Sequence, residues 1–169
     1  YIHNNIFQNC QGSGVSCMYQ EKDNSDEVYR GSLMQETAFV YNNLFQGCNY
    51  GLTISPGLLV FNNIFSDLQT IAIERGIYVN DTNDRSMVDY NLFYDNPKHV
   101  SDGVVLGKNN LFDVDPLLNK NFSLQQTSPC IDKGSITFTH GNKQLTIPES
   151  DYLGAGPDLG AFEYGIPEK

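Results

Sequence analysis

Two polar segments of the chain carry the side chains that could do chemistry. The first runs from about residue 18 to residue 36 and the second from about residue 74 to residue 85, and both are rich in tyrosine, carboxylate and arginine. Carboxylates can transfer protons, arginine can bind a negatively charged group, and tyrosine rings can stack on a ligand. We select Glu74 and Arg75 as catalytic candidates. The candidates for substrate binding are Tyr19, Glu21, Tyr29, Arg30, Glu36 and Tyr78.

A short repeat indicates where these segments lie relative to the folded elements. Most copies contain two asparagines, then an aliphatic residue and a phenylalanine. The copies are His3–Phe7, Tyr41–Phe45, Phe61–Phe65, Asp89–Phe93 and Lys108–Phe112. The last asparagine of each copy is residue 5, 43, 63, 91 or 110, so successive copies lie 38, 20, 28 and 19 residues apart. The basic period is therefore near 20 residues, and the two polar segments are insertions of about 18 and 8 residues.

The residues around the repeat favour short strands. Apolar residues alternate with small or polar ones in segments such as 51–54 and 71–73. Leucine-rich repeats of this period need a leucine spacing that is missing here, and helical repeats are longer. An antiparallel sandwich with chance recurrence of Asn-rich turns would leave the fixed offset from asparagine to phenylalanine unexplained. The sequence therefore predicts an all-β parallel β-helix, a solenoid of about five coils stacked about 4.8 Å apart.

Equivalent residues of successive coils lie above one another in such a solenoid. We expect a ladder of side-chain amides formed by Asn5, Asn43, Asn63, Asn91 and Asn110. Two residues further on, we expect an inward-facing column of aromatic rings formed by Phe7, Phe45, Phe65, Phe93 and Phe112. Cys10 and Cys48 each follow their phenylalanine by three residues and should be neighbours. They could form a disulfide or a pair of buried thiols, and we favour the thiols.

The chain after the last repeat has a different character and is predicted to be a cap. We divide the chain into coils over residues 1–118 and a C-terminal capping segment over residues 119–169, with a hairpin over residues 136–147. Within the cap, Asp132 and Asp158 are expected to bind backbone amides. Before it, Asp113 and Asp115 could cap a turn or bind Ca²⁺, and turn capping is favoured. The histidines are expected at the surface: His3, His99 and His140.

The tail also resembles a known group of proteins. The motifs that carry the resemblance are Asp115-Pro116, Ser128-Pro129-Cys130-Ile131-Asp132-Lys133-Gly134 and Pro157-Asp158-Leu159-Gly160-Ala161-Phe162-Glu163-Tyr164. They resemble the C-terminal end of bacterial secreted right-handed parallel β-helix proteins, although this chain has Cys130 where the usual form has alanine. Many such proteins are polysaccharide lyases or glycoside hydrolases, including alginate lyase-like, pectate lyase-like and β-xylosidase-like enzymes. The resemblance implies a right-handed β-helix that is secreted or displayed at the cell surface.

The function that the resemblance implies is cleavage of glycosidic bonds in a polysaccharide or oligosaccharide, with the insertions lining the glycan groove. Hydrolysis needs two carboxylates flanking the bond, and Glu36, Glu74, Asp81 and Asp84 are available. Elimination needs a base and a group that neutralises the uronate carboxylate, such as Ca²⁺ or arginine. The available side chains are Tyr29, Arg30 and Arg75. Apart from Ca²⁺, no cofactor and no metal ligand is implied. The main catalytic residues of such families lie in central coils, and we expect them upstream of Tyr1. The alternative is a non-catalytic β-helix that acts as an adhesin, a surface protein or a carbohydrate-binding module.

The net charge of the chain and the position of Tyr1 within a coil indicate which partners the protein has. The chain has 20 acidic and 10 basic residues, a net charge of −10. This argues against a nucleic-acid partner. Because uronate polymers would be repelled, it favours a neutral glycan and hydrolysis, or a lyase with Ca²⁺ in the groove. No apolar run approaches the roughly 18 residues of a membrane span. Because Tyr1 lies within a coil, we expect that coil to be covered by N-terminal coils of the same protein or by a second chain.

Overall fold

The chain is all-β in the parts that the structure describes. The structure is a computed structural model, and it describes residues 1–17, 38–54, 58–75, 86–141 and 143–166. These residues form three parallel sheets, one antiparallel hairpin and a 3₁₀ turn at Glu149–Asp151. Within the same ranges, no helix has the length and apolar character of a membrane span. The prediction of an all-β chain built on parallel strands is confirmed.

Successive strands of the chain enter three parallel sheets in rotation. The first sheet contains, in spatial order, β1 (Ile2–His3), β4 (Ala38–Tyr41), β7 (Leu58–Phe61) and β10 (Met87–Asp89). The second contains β2 (Ile6–Gln8), β5 (Leu44–Gln46), β8 (Ile64–Ser66), β11 (Leu92–Tyr94) and β12 (Leu111–Phe112). The third contains β3 (Ser13–Ser16), β6 (Tyr50–Ile54) and β9 (Ile71–Arg75). We call each circuit of the chain through the sheets a pass, and each pass lies against the one before it.

The first residue of the asparagine pair makes the bend between the first and second sheets. Asn4, Asn42 and Asn62 have left-handed backbone conformations, with φ of 56°, 49° and 57°. Asparagine tolerates this region better than most residues. In the fourth pass Tyr90 adopts it instead, with φ of 56°, and its amide donates to the Asp89 carboxylate at 3.0 Å. Because these four bends are alike, the next residue of each of these passes arrives at the same place.

The predicted asparagine ladder is present along this bend. Each side-chain amide donates to the side-chain oxygen of the next asparagine: Asn5 to Asn43 at 3.1 Å, Asn43 to Asn63 at 3.0 Å, Asn63 to Asn91 at 2.9 Å and Asn91 to Asn110 at 3.2 Å. The three inner members, Asn43, Asn63 and Asn91, are completely buried. The ladder therefore satisfies polar groups whose burial without partners would destabilise the core.

The predicted aromatic column is also present. Neighbouring rings are stacked with centroids 4.9, 4.7, 5.2 and 5.3 Å apart from Phe7 to Phe112. Phe45, Phe65 and Phe93 are completely buried. Phe112, the last ring of the column, is 39% exposed. Its ring stacks on Phe93 as predicted, and it is exposed because it lies at the end of the column.

The residues after the stack pack along its side. One group of tail residues covers the outer face of the second sheet and consists of Leu124, Cys130, Leu159 and Ala161, which pack on Leu44, Ile64 and Leu92. A second group covers the outer face of the first sheet and consists of Phe138 and Ile147, which pack on Phe39, Leu59 and Phe61. The first asparagines of the bends hold the tail between these faces: Asn42 donates to the Asp158 carbonyl and Asn62 to the Ser135 carbonyl, both at 3.0 Å. The division at residue 118 stays a prediction.

The predicted hairpin and thiols are found as expected. The hairpin consists of β13 (Thr137–His140) and β14 (Lys143–Thr146), which pair antiparallel. Its turn contains Gly141 with φ of 59°, a conformation that glycine adopts without steric cost. The ring of Phe138 stacks on Phe61 with centroids 4.6 Å apart, which fastens the hairpin to the first sheet. All four cysteines are free thiols: Cys10, Cys17, Cys48 and Cys130.

Candidate functional site

The structure describes two of the eight sequence-predicted site residues. Glu74 and Arg75 are the last two residues of β9 in the third sheet, where Arg75 is paired with Ile54. The predicted substrate-binding residues lie outside the described residues: Tyr19, Glu21, Tyr29, Arg30, Glu36 and Tyr78. The additional carboxylates proposed for hydrolysis, Asp81 and Asp84, lie outside them as well. What the structure defines is therefore the place on the framework at which both polar segments are attached.

That place is a single corner of the stack. The segment 18–37 connects β3 to β4, and the segment 76–85 connects β9 to β10. Both segments therefore leave from the third sheet and return to the first. The strands of the third sheet are parallel and in register, so that Ser16, Thr53 and Glu74 are lateral neighbours. Consequently the two insertions begin at the same edge of the sheet, one on each side of β6, although 58 residues, the difference between positions 18 and 76, separate them along the chain.

The outer face of the third sheet carries hydroxyl groups beside Glu74. The hydroxyl of Ser13 hydrogen bonds to that of Thr53 across neighbouring passes at 2.9 Å. Thr53 is buried, and Glu74, one strand further along, is partly exposed. The carboxylate can accept hydrogen bonds from a ligand that is rich in hydroxyl groups, and the neighbouring hydroxyls can donate hydrogen bonds to it. This set of residues is the candidate site.

A bend in the third sheet shapes this face. A Cβ atom built on Gly51 would lie 2.9 Å from both Phe65 Cδ1 and Leu68 Cδ1, so position 51 faces the interior. The next residue, Leu52, is completely buried in the same core. Two successive inward positions break the alternation of a regular strand. A residue that precedes the two inward positions in one pass can then contact, on the outside, a residue that follows them in the next pass. Ser13 and Thr53 make such a contact.

Acidic side chains surround the turn that follows the second sheet. The carboxylate of Asp115 raises the pKa of Tyr94, and desolvation and the carboxylates of Asp95 and Asp67 add to the effect. Gln46 donates to Asp67 at 2.9 Å, which orients one of these groups. Asp115 also accepts the backbone amide of Leu117 at 2.8 Å, which is the turn capping that the sequence favoured. This side of the stack therefore presents a negative field to any polyanionic ligand.

The carboxylates of the tail have the structural role that was predicted. Asp132 accepts the backbone amides of Ala155 and Gly156 at 2.8 and 3.2 Å. Asp158, which is 2% exposed, accepts those of Asp132 and Tyr164 at 2.8 and 2.6 Å. Burial raises the pKa of Asp158, and its backbone hydrogen bonds oppose that shift. These contacts join three separate parts of the tail.

Glu163 belongs to the same network, a role that its place in the tail motif did not predict. Its carboxylate accepts the backbone amides of Asp158 at 2.8 Å and Leu153 at 3.4 Å. Burial, reinforced by the charges of Asp158 and Asp132, raises the pKa of Glu163 to about 7. The residue also lines a cleft of about 490 Å³ between two tail segments, together with Asn119, Asn121, Ser123, Leu124, Phe162, Tyr164, Gly165 and Ile166. Aromatic rings beside amide and carboxylate groups suit a small polar ligand with an apolar face.

The histidines differ in their surroundings. His3 is exposed and stacks on Tyr41 with ring centroids 4.7 Å apart. The expectation of a surface position is wrong for His99, whose side chain is only 25% exposed and packs against Phe93 and Phe112. Its Nε2 lies 3.3 Å from the Asp113 carboxylate. His99 therefore covers part of the last aromatic rings of the stack.

In the part of the chain that the structure describes, no group of three or more histidine, cysteine, aspartate or glutamate side chains is placed to hold a metal ion. Binding of Ca²⁺ stays a prediction. The sequence matches no family model, and neither a curated protein nor a solved structure is significantly similar to it.

Proposed function

We propose that the three parallel sheets are the walls of a right-handed parallel β-helix. The support is the rotation of successive strands through the sheets in register. The asparagine ladder and the phenylalanine column run along the same axis and strengthen the proposal. The step between phenylalanine rings, 4.7 to 5.3 Å, is that expected between neighbouring strands.

We propose further that the protein is the C-terminal portion of a secreted or cell-surface enzyme that cleaves glycosidic bonds. The observation that carries this proposal is the shared corner at which both polar insertions leave the stack, beside Glu74 and the Ser13–Thr53 hydroxyl pair. Loops attached to one edge of a rigid framework are a frequent location of ligand-binding residues. The tyrosines and arginine of the insertions would add stacking surfaces and cationic donors to the carboxylate and hydroxyls of the framework.

Charge favours a neutral glycan as the substrate. The chain has a net charge of −10, and the acids around Tyr94 give one side of the stack a strong negative field. Long-range repulsion would slow the approach of a polyuronate and leave a neutral chain unaffected. Hydrolysis is then the reaction, because elimination requires the acidified proton of a uronate.

The proposal is tested by the retention of the 169-residue chain on immobilised polysaccharides. We expect binding to a neutral polysaccharide such as xylan and weaker binding to a polyuronate. The variant Glu74→Gln should lower affinity for the neutral glycan about tenfold, because a hydrogen bond to a charged group contributes about 1.5 kcal/mol. The control Glu149→Gln removes an exposed carboxylate from the 3₁₀ turn and should leave affinity unchanged. Equal loss in both variants, or no retention on any neutral glycan, would contradict the proposal.

Glycan binding without cleavage is the second candidate, and the tail cleft favours it. Tyr164 is 40% exposed at that cleft, as a stacking platform for a sugar ring would be. If this site rather than the corner binds the glycan, Tyr164→Ala should abolish retention while Glu74→Gln has no effect. The two variants therefore separate a groove at the corner from a binding module in the tail.

A further inference from the structure

Cys10 and Cys48 occupy equivalent positions of the first two passes and lie against one another. The backbone amide of Cys10 donates to the sulfur of Cys48 at 3.3 Å. The Cys48 thiol in turn donates to the Phe7 carbonyl of the first pass at 3.4 Å. The sulfur of Cys48 is therefore directed at the pass that contains Cys10.

The same position two passes further on shows that this orientation belongs to the framework. There, Asn96 accepts the amide of Leu68 at 3.1 Å and donates to the Phe65 carbonyl at 2.9 Å. Cys48 makes the corresponding pair of contacts with sulfur instead of an amide. The two passes are held together next to the cysteines, since the backbone amide of Asn49 donates to the Cys10 carbonyl at 2.8 Å. Adjacent parallel strands lie about 4.8 Å apart, within the range of about 4.4 to 6.8 Å between Cα atoms that a disulfide requires.

We propose that Cys10 and Cys48 are a disulfide-forming pair that covalently joins the first pass to the second under oxidising conditions. The bond would close a loop of the chain that includes residues 18–37. This inference is independent of the proposed function. In the structure both cysteines are free thiols, which is the reduced form of the proposed pair.

With a disulfide such as oxidised glutathione as oxidant, the reaction balances in two exchange steps. Cys10 is the more exposed of the two; its thiolate attacks one glutathione sulfur, and the other leaves as glutathione thiolate. The thiolate of Cys48 then attacks the Cys10 sulfur of the mixed disulfide and releases the second glutathione. The two cysteines lose two protons and two electrons, and oxidised glutathione gains them. Burial, reinforced by the neighbouring Cys10, raises the pKa of Cys48 to about 11, so the second step should be the slower one and should accelerate with rising pH.

The experiment uses the variant Cys17→Ser, because trypsin leaves Cys10 and Cys17 on one peptide, residues 1–22. The variant is reduced, treated with oxidised glutathione and digested without reductant. We expect mass spectrometry to find peptide 1–22 linked to peptide 31–75, with the protein two hydrogens lighter than before. The melting temperature should rise by about 5 to 10 °C, and dithiothreitol should reverse the rise.

Two further variants in the same background make the outcome decisive. With Cys48→Ser, Cys10 should keep a glutathione adduct and the melting temperature should not rise. With Cys130→Ala, the cross-link should form as before. The proposal is overturned if Cys10 retains glutathione while Cys48 stays free, or if Cys48 is linked to Cys130.

Discussion

Asn63 shows at the scale of one residue what holds the stack together. Its amide nitrogen donates to the side chain of Asn91 and to two backbone carbonyls, those of Val40 and Phe61, at 2.9 Å each. Its side-chain oxygen accepts both the backbone and the side-chain amide of Asn43 at 3.0 Å. One asparagine therefore satisfies polar groups of three passes, and no other side chain of its size has both the donors and the acceptor in this geometry.

The variant Asn63→Ala should destabilise the protein strongly. It leaves buried donors of Asn43 and buried carbonyls without partners, and we expect a loss of about 2 to 4 kcal/mol in the free energy of unfolding. The matched control is Asn5→Ala at the exposed end of the same ladder, where water can replace the lost partners, and its loss should be below about 1 kcal/mol. Urea unfolding of the three proteins measures the difference. Similar losses at both positions would mean that burial of the ladder is not what makes it stabilising.

At the scale of the element, the third sheet depends on the absence of a side chain at position 51. A Cβ atom on Gly51 would lie 2.5 Å from the Ala72 carbonyl oxygen as well as against Phe65 and Leu68. Because one of these neighbours is backbone of the adjacent strand, the sheet itself would have to move.

The variant Gly51→Ala should therefore cost about 1 to 3 kcal/mol, the usual range for overpacking a core. Gly12, just before β3, provides the control, because a Cβ there would meet nothing within 4 Å. The variant Gly12→Ala should change stability little. Thermal unfolding of both variants decides between overpacking and a general effect of replacing glycine. A stable Gly51→Ala protein would show that the bend of β6 can relax.

The strands also show which parts of the fold the sequence predicts. The repeat predicted the ladder, the aromatic column and the parallel pairing, because equivalent positions of a stack have equivalent surroundings. It did not predict that the tail covers the sides of the stack. The signal was present in Leu44-Phe45, Ile64-Phe65 and Leu92-Phe93, where two successive apolar residues face opposite sides of one strand. A sheet that is apolar on both faces needs cover on both.

At the scale of the whole molecule, stability should fall as the pH rises through neutrality. The pKa of Glu163 is raised from 4.5 to about 7, and that of Asp158 is raised as well. Between about pH 4.5 and pH 7 the folded state therefore binds more protons than the unfolded state. The folded state is consequently most stable at the acidic end of this range. Since Glu163 is only partly buried, solvent screening reduces the effect, and we expect the melting temperature to fall by about 2 to 5 °C between about pH 5 and pH 8.

The variant Glu163→Gln isolates this contribution from the general repulsion of a chain with net charge −10. Its melting temperature should depend less steeply on pH than that of the unchanged protein. Calorimetry at several pH values provides the comparison. Parallel curves for the two proteins would rule out Glu163 as a source of the dependence.

The candidate site was less predictable than the framework. The insertions occur once each, so no periodicity constrains them, and the sequence identified them only by composition. Glu163 was noted in a tail motif, but the pKa shift depends on burial and on the charges of Asp158 and Asp132, which come from other parts of the tail. His99 was taken for a surface residue because its contacts with Phe93 and Phe112 involve residues of different passes.

The rings of the aromatic column are evenly spaced although the chain between them is not. Links of 38, 20, 28 and 19 residues produce steps of 4.9, 4.7, 5.2 and 5.3 Å. The framework is thus indifferent to the length of what it carries at the corner between the third and first sheets. Mutation can lengthen, shorten or exchange those links without disturbing the packing that keeps the protein folded.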